Sequence, residues 1–131
     1  MLKQRFLFDT HSWLWANLQP ERLTPKVIEI INNNDNELMF SVVSAWEISI
    51  KYALGKLELP LEPVQYIPTR LQLNQTIVLP VKLEHVLRVA QLPHHHSDPF
   101  DRLLIAISQT ERLTLITADK QFEAYDVDIL W

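Results

Sequence analysis

Short apolar runs recur along this chain, each followed by a stretch whose apolar residues fall at helical spacing. Phe6-Leu7-Phe8, Leu38-Met39-Phe40-Ser41-Val42, Thr76-Ile77-Val78-Leu79, Thr114-Leu115-Ile116-Thr117 and Val127-Asp128-Ile129-Leu130 read as strands. Strands that are apolar throughout need cover on both faces, which points to a parallel sheet between helices. Right-handed crossovers then make a three-layer α/β/α sandwich, mostly parallel and of about five strands, the expected fold class. No repeat, linker or low-complexity tract interrupts the pattern, so a single domain over residues 1–131 is expected.

The helical stretches carry their own punctuation. Thr10 to Asn17 follows the first strand, and Thr24-Pro25 gives an N-cap and first position with Val27, Ile28 and Ile31 facing inward. Ser44 and Glu47 match a capping box, predicting a helix to about Leu54 with Gly55 closing it. Glu62 to Leu73 is helical in pattern despite Pro68, and Leu83, Val86, Leu87 and Ala90 show helical spacing in the next segment. Asp98-Pro99-Phe100-Asp101 opens a helix with Phe100, Leu103, Leu104 and Ile107 on its apolar face, and Lys120 to Tyr125 is a short helix.

Composition removes whole classes of chemistry. Without cysteine there is no disulfide, thiolate metal site, iron–sulfur cluster or cysteine nucleophile. Gly55 is the single glycine, so a glycine-rich phosphate loop is excluded. No run nears the roughly 20 apolar residues of a membrane span. Within Met1 to Asp9 the apolar run is too short for a signal peptide, and a cytoplasmic protein with no membrane partner is expected. The balance of 12 Lys+Arg against 16 Asp+Glu is not that of a general polyanion binder, unless carboxylates gather and a metal neutralises them.

Open α/β sheets bind ligands beyond the carboxyl ends of their strands, where strand order reverses. Asp9 ends the first strand, Glu47 lies one turn into the helix after the second, and Asp119 follows the fourth by two residues. Asp101 sits in the first turn of the helix before the fourth strand. Each has a local explanation: Asp9 and Asp119 as caps, Glu47 in its box or paired with Lys51, and Asp98 and Asp101 at a helix start. Gathered at one sheet edge, however, they would repel one another unless protons or cations intervened. Magnesium suits such oxygen ligands, and the chemistry that follows is phosphodiester hydrolysis.

Leu7-Phe8-Asp9-Thr10-His11, Ser44-Ala45-Trp46-Glu47-Ile48, Asp98-Pro99-Phe100-Asp101-Arg102-Leu103-Leu104-Ile105-Ala106 and Thr117-Ala118-Asp119 resemble, in order, the PIN-domain ribonucleases. More narrowly they resemble the VapC-type toxins of type II toxin–antitoxin systems, with Lys51 and Gly55-Lys56-Leu57 adding to the likeness. The resemblance covers about Phe6 to Trp131. It implies strand order 3-2-1-4-5 and a Mg2+- or Mn2+-dependent endoribonuclease, with Asp9, Glu47, Asp101 and Asp119 as the metal-binding and catalytic acids. It also implies an RNA substrate, a cognate antitoxin protein and a homodimer. Thr10 and Thr117 are candidates to orient the carboxylates by hydrogen bonds. Asp98 is read first as a helix cap, with an outer role at the metal or a substrate contact as alternatives. Lys51, Lys56 and Arg102 are candidate contacts to RNA phosphates, set against a plain surface role.

Other readings carry less. Phospho-acceptor receiver domains use paired acids after strand one and an aspartate after strand three, whereas Asp9 stands alone and Leu79 precedes Pro80. Haloacid-dehalogenase-type hydrolases need a second aspartate where His11 stands. A non-catalytic PIN-like module binding RNA or protein is the main alternative. His94-His95-His96 invites a zinc site, but neighbouring side chains in a loop diverge, which favours a structural or substrate-facing loop. His11 is the better candidate for a functional imidazole. Trp13, Trp15, Trp46 and Trp131 read as core or interface aromatics.

Overall fold

The computed structural model describes residues 3–131; of the Met1–Asp9 stretch read for a leader, Met1 and Leu2 lie outside the described residues. Strand β1 (Arg5–Phe8) runs between β2 (Glu37–Ser41) and β4 (Thr114–Ile116), with β3 (Ile77–Leu79) and β5 (Ile129–Leu130) at the edges. All pairings are parallel and the order is β3-β2-β1-β4-β5, as the resemblance implied.

Side-chain alternation sorts the strands between two cores. Phe6 and Phe8 point to one face with Phe40, Ile116 and Leu130, where α1 (Thr10–Leu18), α2 (Pro25–Asn32) and α4 (Pro63–Leu73) pack through Trp13, Val27 and Ile67. Leu7 points to the other face with Met39 and Leu115, against α6 (Pro99–Glu111) and its fully buried Leu104, Ile105 and Ile107. Helix α3 (Val42–Ala53) reaches both cores, with Val43 on one and Ile48 on the other. Each such side chain removed from water contributes about 1.5–3 kcal/mol. Strand order reverses between β1 and β4, whose carboxyl ends lie side by side.

Several local expectations need correction. Helix α3 starts at Val42, because Ser41 ends β2 in extended backbone and its hydroxyl accepts from the Val43 amide at 3.1 Å. Ser44 therefore lies inside the helix, where its hydroxyl accepts from Thr10 Oγ1 at 3.0 Å, and the Ser44–Glu47 capping box does not form. In α2 the inward stripe is Val27, Ile30 and Ile31, the i, i+3, i+4 set, while Ile28 faces water.

In α5 (Leu83–Val89), Leu83, Val86 and Leu87 are exposed, and His85 and Val89 face inward. His85 tolerates burial because Nδ1 accepts from the Lys82 amide at 3.0 Å and Nε2 meets Glu111 Oε1 at 2.8 Å. Gly55, at φ 71°, closes α3 in the left-handed conformation that favours glycine. The Lys120–Tyr125 segment is a 3₁₀ turn over Lys120–Ala124, and another such turn, Pro20–Arg22, was not expected. Among the described residues, no helix is long and apolar enough to cross a membrane.

Candidate active site

At the seam between β1 and β4, Asp9 leaves the sheet and caps α1. Its Oδ1 accepts from the Ser12 amide at 2.8 Å, and its Oδ2 from Thr117 Oγ1 at 2.7 Å. Thr117 Oγ1 in turn accepts from the Asp119 amide at 3.1 Å, so one hydroxyl ties the two acids flanking the seam. Asp98 is the cap of α6, its Oδ1 accepting from the amides of Phe100 and Asp101. That leaves the Asp101 carboxylate free of capping and turned inward. Asp9, Asp101 and Asp119 line one cavity of about 260 Å3, together with His11, Trp15 and Ala118. A larger apolar cavity of about 650 Å3 beside β3 contains no titratable lining residue, so the chemistry belongs to the smaller one.

The electrostatics of this cavity are strained in one direction. Burial, then the charges of Asp98, Asp9, Glu47 and Asp119, push the Asp101 carboxyl up to about 8. Burial also raises Asp9, against the Ser12 and Thr117 hydrogen bonds that favour its ionised form. Glu47 is buried in α3 and pairs with Lys51 through Oε2 at 2.6 Å, while its Oε1 has no hydrogen-bond partner among the described residues. Ligand atoms of His96, Asp101 and Asp119 lie within 4.8 Å of one another. Converging carboxylates, a carboxyl that resists ionisation and an orphaned buried oxygen fit a hard divalent cation held by oxygen ligands. The acidic cluster could hold such a cation.

The family model of the PIN domain matches residues 6–128. The chain belongs to the PIN-domain family. Over 56 residues this PIN domain is 39% identical to ribonuclease VapC16 of Mycobacterium tuberculosis, a match covering 43% of the chain and 40% of that protein. The shared stretch thus spans less than half of that relative. Its fold matches the structure of VapBC2 from Rickettsia felis bound to a DNA fragment from its promoter, with TM-score 0.74, 14% identity, and 98% and 99% of the two chains covered. It also matches DNA-bound VapBC from Salmonella typhimurium, with TM-score 0.68, 17% identity, and 99% and 98% covered. FitAcB from Neisseria gonorrhoeae gives TM-score 0.65 at 20% identity over 96% of each chain. At these identities the likeness establishes the fold.

The remaining sequence candidates of the PIN domain separate by position. Thr117 bonds an acid directly, whereas Thr10 reaches Ser44 and so links α1 to the helix carrying Glu47. Lys56 is exposed and Lys51 partly so. Arg102, read as a phosphate contact, faces inward instead: it is buried and donates to the carbonyls of Pro93 and Val89 and to the Tyr125 hydroxyl. His94 and His95 are exposed, but His96 is buried with Nε2 at 3.1 Å from Asp101 Oδ2 and 3.3 Å from Asp119 Oδ2. The divergence of neighbouring loop side chains holds, and it is what sends one histidine alone to the acids. Tyr125, whose hydroxyl accepts from the His95 and His96 amides, carried no signal in the sequence.

Proposed function

We propose that this PIN domain is a metal-dependent endoribonuclease and the toxin component of a toxin–antitoxin pair. The observation that carries the reading is the single cavity lined by Asp9, Asp101 and Asp119, in which Asp101 is crowded by the neighbouring carboxylates. Asp9, Asp101 and Asp119 would hold one or two Mg2+ or Mn2+ ions. When bound, such a cation supplies Lewis-acid polarisation of a phosphoryl oxygen and acidifies the attacking water.

The chain's own residues do the rest. Thr117 and Ser12 hold Asp9 in orientation, and Asp98 secures the first turn that presents Asp101. Lys51 engages one oxygen of Glu47, which leaves the unpartnered Oε1 to bind metal or to accept the proton of the attacking water. Lys56, exposed beyond the end of α3, and Lys51, partly exposed beside its pair with Glu47, are the candidate contacts to RNA phosphates. The VapBC neighbours support a cognate antitoxin as partner, and a homodimer and a single-domain organisation over 1–131 follow the family resemblance.

The test is cleavage of a structured RNA by the purified protein with Mg2+ or Mn2+, alongside Asp9→Asn and Asp101→Asn and excess chelator. The wild type should cut, and each variant and the chelated sample should not, with circular dichroism unchanged. Full cleavage by both variants would remove this site from the reaction. Sequencing the ends of RNA fragments released on expression would then identify the target.

A further inference from the structure

His96 is a buried imidazole whose two nitrogens face different kinds of group. Its Nδ1 accepts from the Asp98 backbone N–H at 3.2 Å. Its Nε2 faces two carboxylate oxygens, Asp101 Oδ2 at 3.1 Å and Asp119 Oδ2 at 3.3 Å. The ring is not free to choose another place. Its backbone N–H donates to the Tyr125 hydroxyl at 2.7 Å, and that hydroxyl also receives Arg102 Nη1 at 3.2 Å. Arg102 holds the same loop from below through the Pro93 carbonyl at 3.0 Å, and Phe122 meets the imidazole edge-on, centroids 5.7 Å apart.

We infer that His96 is a positioning residue of the acidic site, locked by the Asp98 amide as an Nε2–H donor to Asp119 Oδ2 beside Asp101 Oδ2, and is excluded from ligating the metal. For Nε2 to present a lone pair to a cation, the neutral ring must carry its proton on Nδ1, facing the Asp98 N–H. Two donors would then point at each other, and an amide at the start of α6 would lose its acceptor.

With the proton on Nε2 every group is satisfied. The N–H is given to Asp119 Oδ2 next to Asp101 Oδ2, which keeps these two oxygens in place and fixes which others remain for a cation. Outer groups of this kind commonly change metal affinity by about 10–100-fold. The site is thereby kept to oxygen donors, the chemistry of Mg2+ and Mn2+ rather than of zinc. This deepens the nuclease reading and rests on its acidic site.

The decisive measurement is a long-range 1H–15N spectrum of the full-length protein labelled at histidine, with and without Mg2+ at neutral pH. His96 should show a protonated Nε2 and a bare Nδ1 in both samples. An Nδ1–H tautomer, or a bare Nε2 in the Mg2+ sample, would overturn the proposal. Calorimetric titration with MnCl2 supplies a second readout: His96→Ala should bind at least 10-fold more weakly, and His96→Gln, whose amide N–H reaches the same oxygens, should recover most of that loss. Equal Mn2+ affinity in wild type and His96→Ala would likewise sink it. The spectrum is read on the wild type, so a variant that fails to fold does not remove the test. A wild type that binds Mn2+ as expected yet cuts no RNA would defeat the nuclease reading and leave this one standing.

Discussion

Thr117 Oγ1 donates to Asp9 Oδ2 at 2.7 Å, joining two residues 108 positions apart across the seam between β1 and β4. The same hydroxyl accepts from the Asp119 amide, so its removal loosens two acids at once while the strands stay paired. Thr117→Val should lower Mn2+ affinity and RNA cleavage by about 10–100-fold, the usual scale for a group that orients a metal ligand. Thr117→Ser should restore most of it. Calorimetry and a cleavage assay on both variants check this, and equal affinity in Thr117→Val and wild type would refute it.

Glu47 and Lys51 form an i, i+4 pair with unequal surroundings: the Glu47 side chain is 2% exposed and that of Lys51 38%. Removing the cation strands a buried carboxylate, whereas removing the carboxylate strands only a lysine that can turn to water. Lys51→Met should cost about 2 kcal/mol in urea unfolding without metal, between the values for breaking buried and surface pairs. Glu47→Gln should cost less than that and still lose RNA cleavage. If Glu47→Gln proves the more destabilised of the two, the buried oxygen is not the strained member.

Asp101 makes one pH-dependent contribution to the stability of the metal-free protein. Its carboxyl stands at about 8 against an ordinary 3.8, so the folded state holds a proton that the unfolded chain releases. The stability from that proton is complete below the unfolded value and is lost as pH rises toward 8. Asp101→Asn cannot titrate, so its melting temperature relative to wild type should climb between pH 5 and 8. Adding Mg2+ at pH 8 should stabilise wild type much more than the variant. A difference that stays flat across that range would contradict the crowding of carboxylates around Asp101.

Much of this arrangement is legible in the sequence because strand ends and helix starts are written there. Asp9 closes an apolar run, and Asp98-Pro99 starts a helix so cleanly that Asp101 is left with nothing to cap. What stays hidden depends on three-dimensional partners. Leu83, Val86 and Leu87 have the spacing of a core stripe, yet α5 buries His85, because Glu111 on α6 and the Lys82 amide satisfy its ring from outside the helix. Arg102 looks like a surface cation until the carbonyls of Val89 and Pro93 and the Tyr125 hydroxyl are brought around it. Periodicity cannot register a polar group that distant residues neutralise.

That buried histidine gives a prediction away from the acids. Glu111 Oε1 meets His85 Nε2 at 2.8 Å and Lys82 Nζ at 3.3 Å, and these bonds, the His85 one foremost, hold its carboxyl below the usual range against its partial burial. A depressed carboxyl contributes stability present above its unfolded value and lost as pH falls through the folded one. Glu111→Gln keeps an acceptor for His85 and removes only the charge, so its deficit in urea unfolding should be present at pH 7 and shrink as pH falls below the ordinary 4.5 toward pH 3. Glu111→Ala leaves the buried Nε2–H unpaired and should cost about 1–3 kcal/mol at both pH values. Mn2+ affinity should be unchanged in both variants, since neither touches the acids at the β1–β4 seam. A Glu111→Gln deficit that persists undiminished at pH 3 would show that geometry, not charge, is what Glu111 supplies to His85.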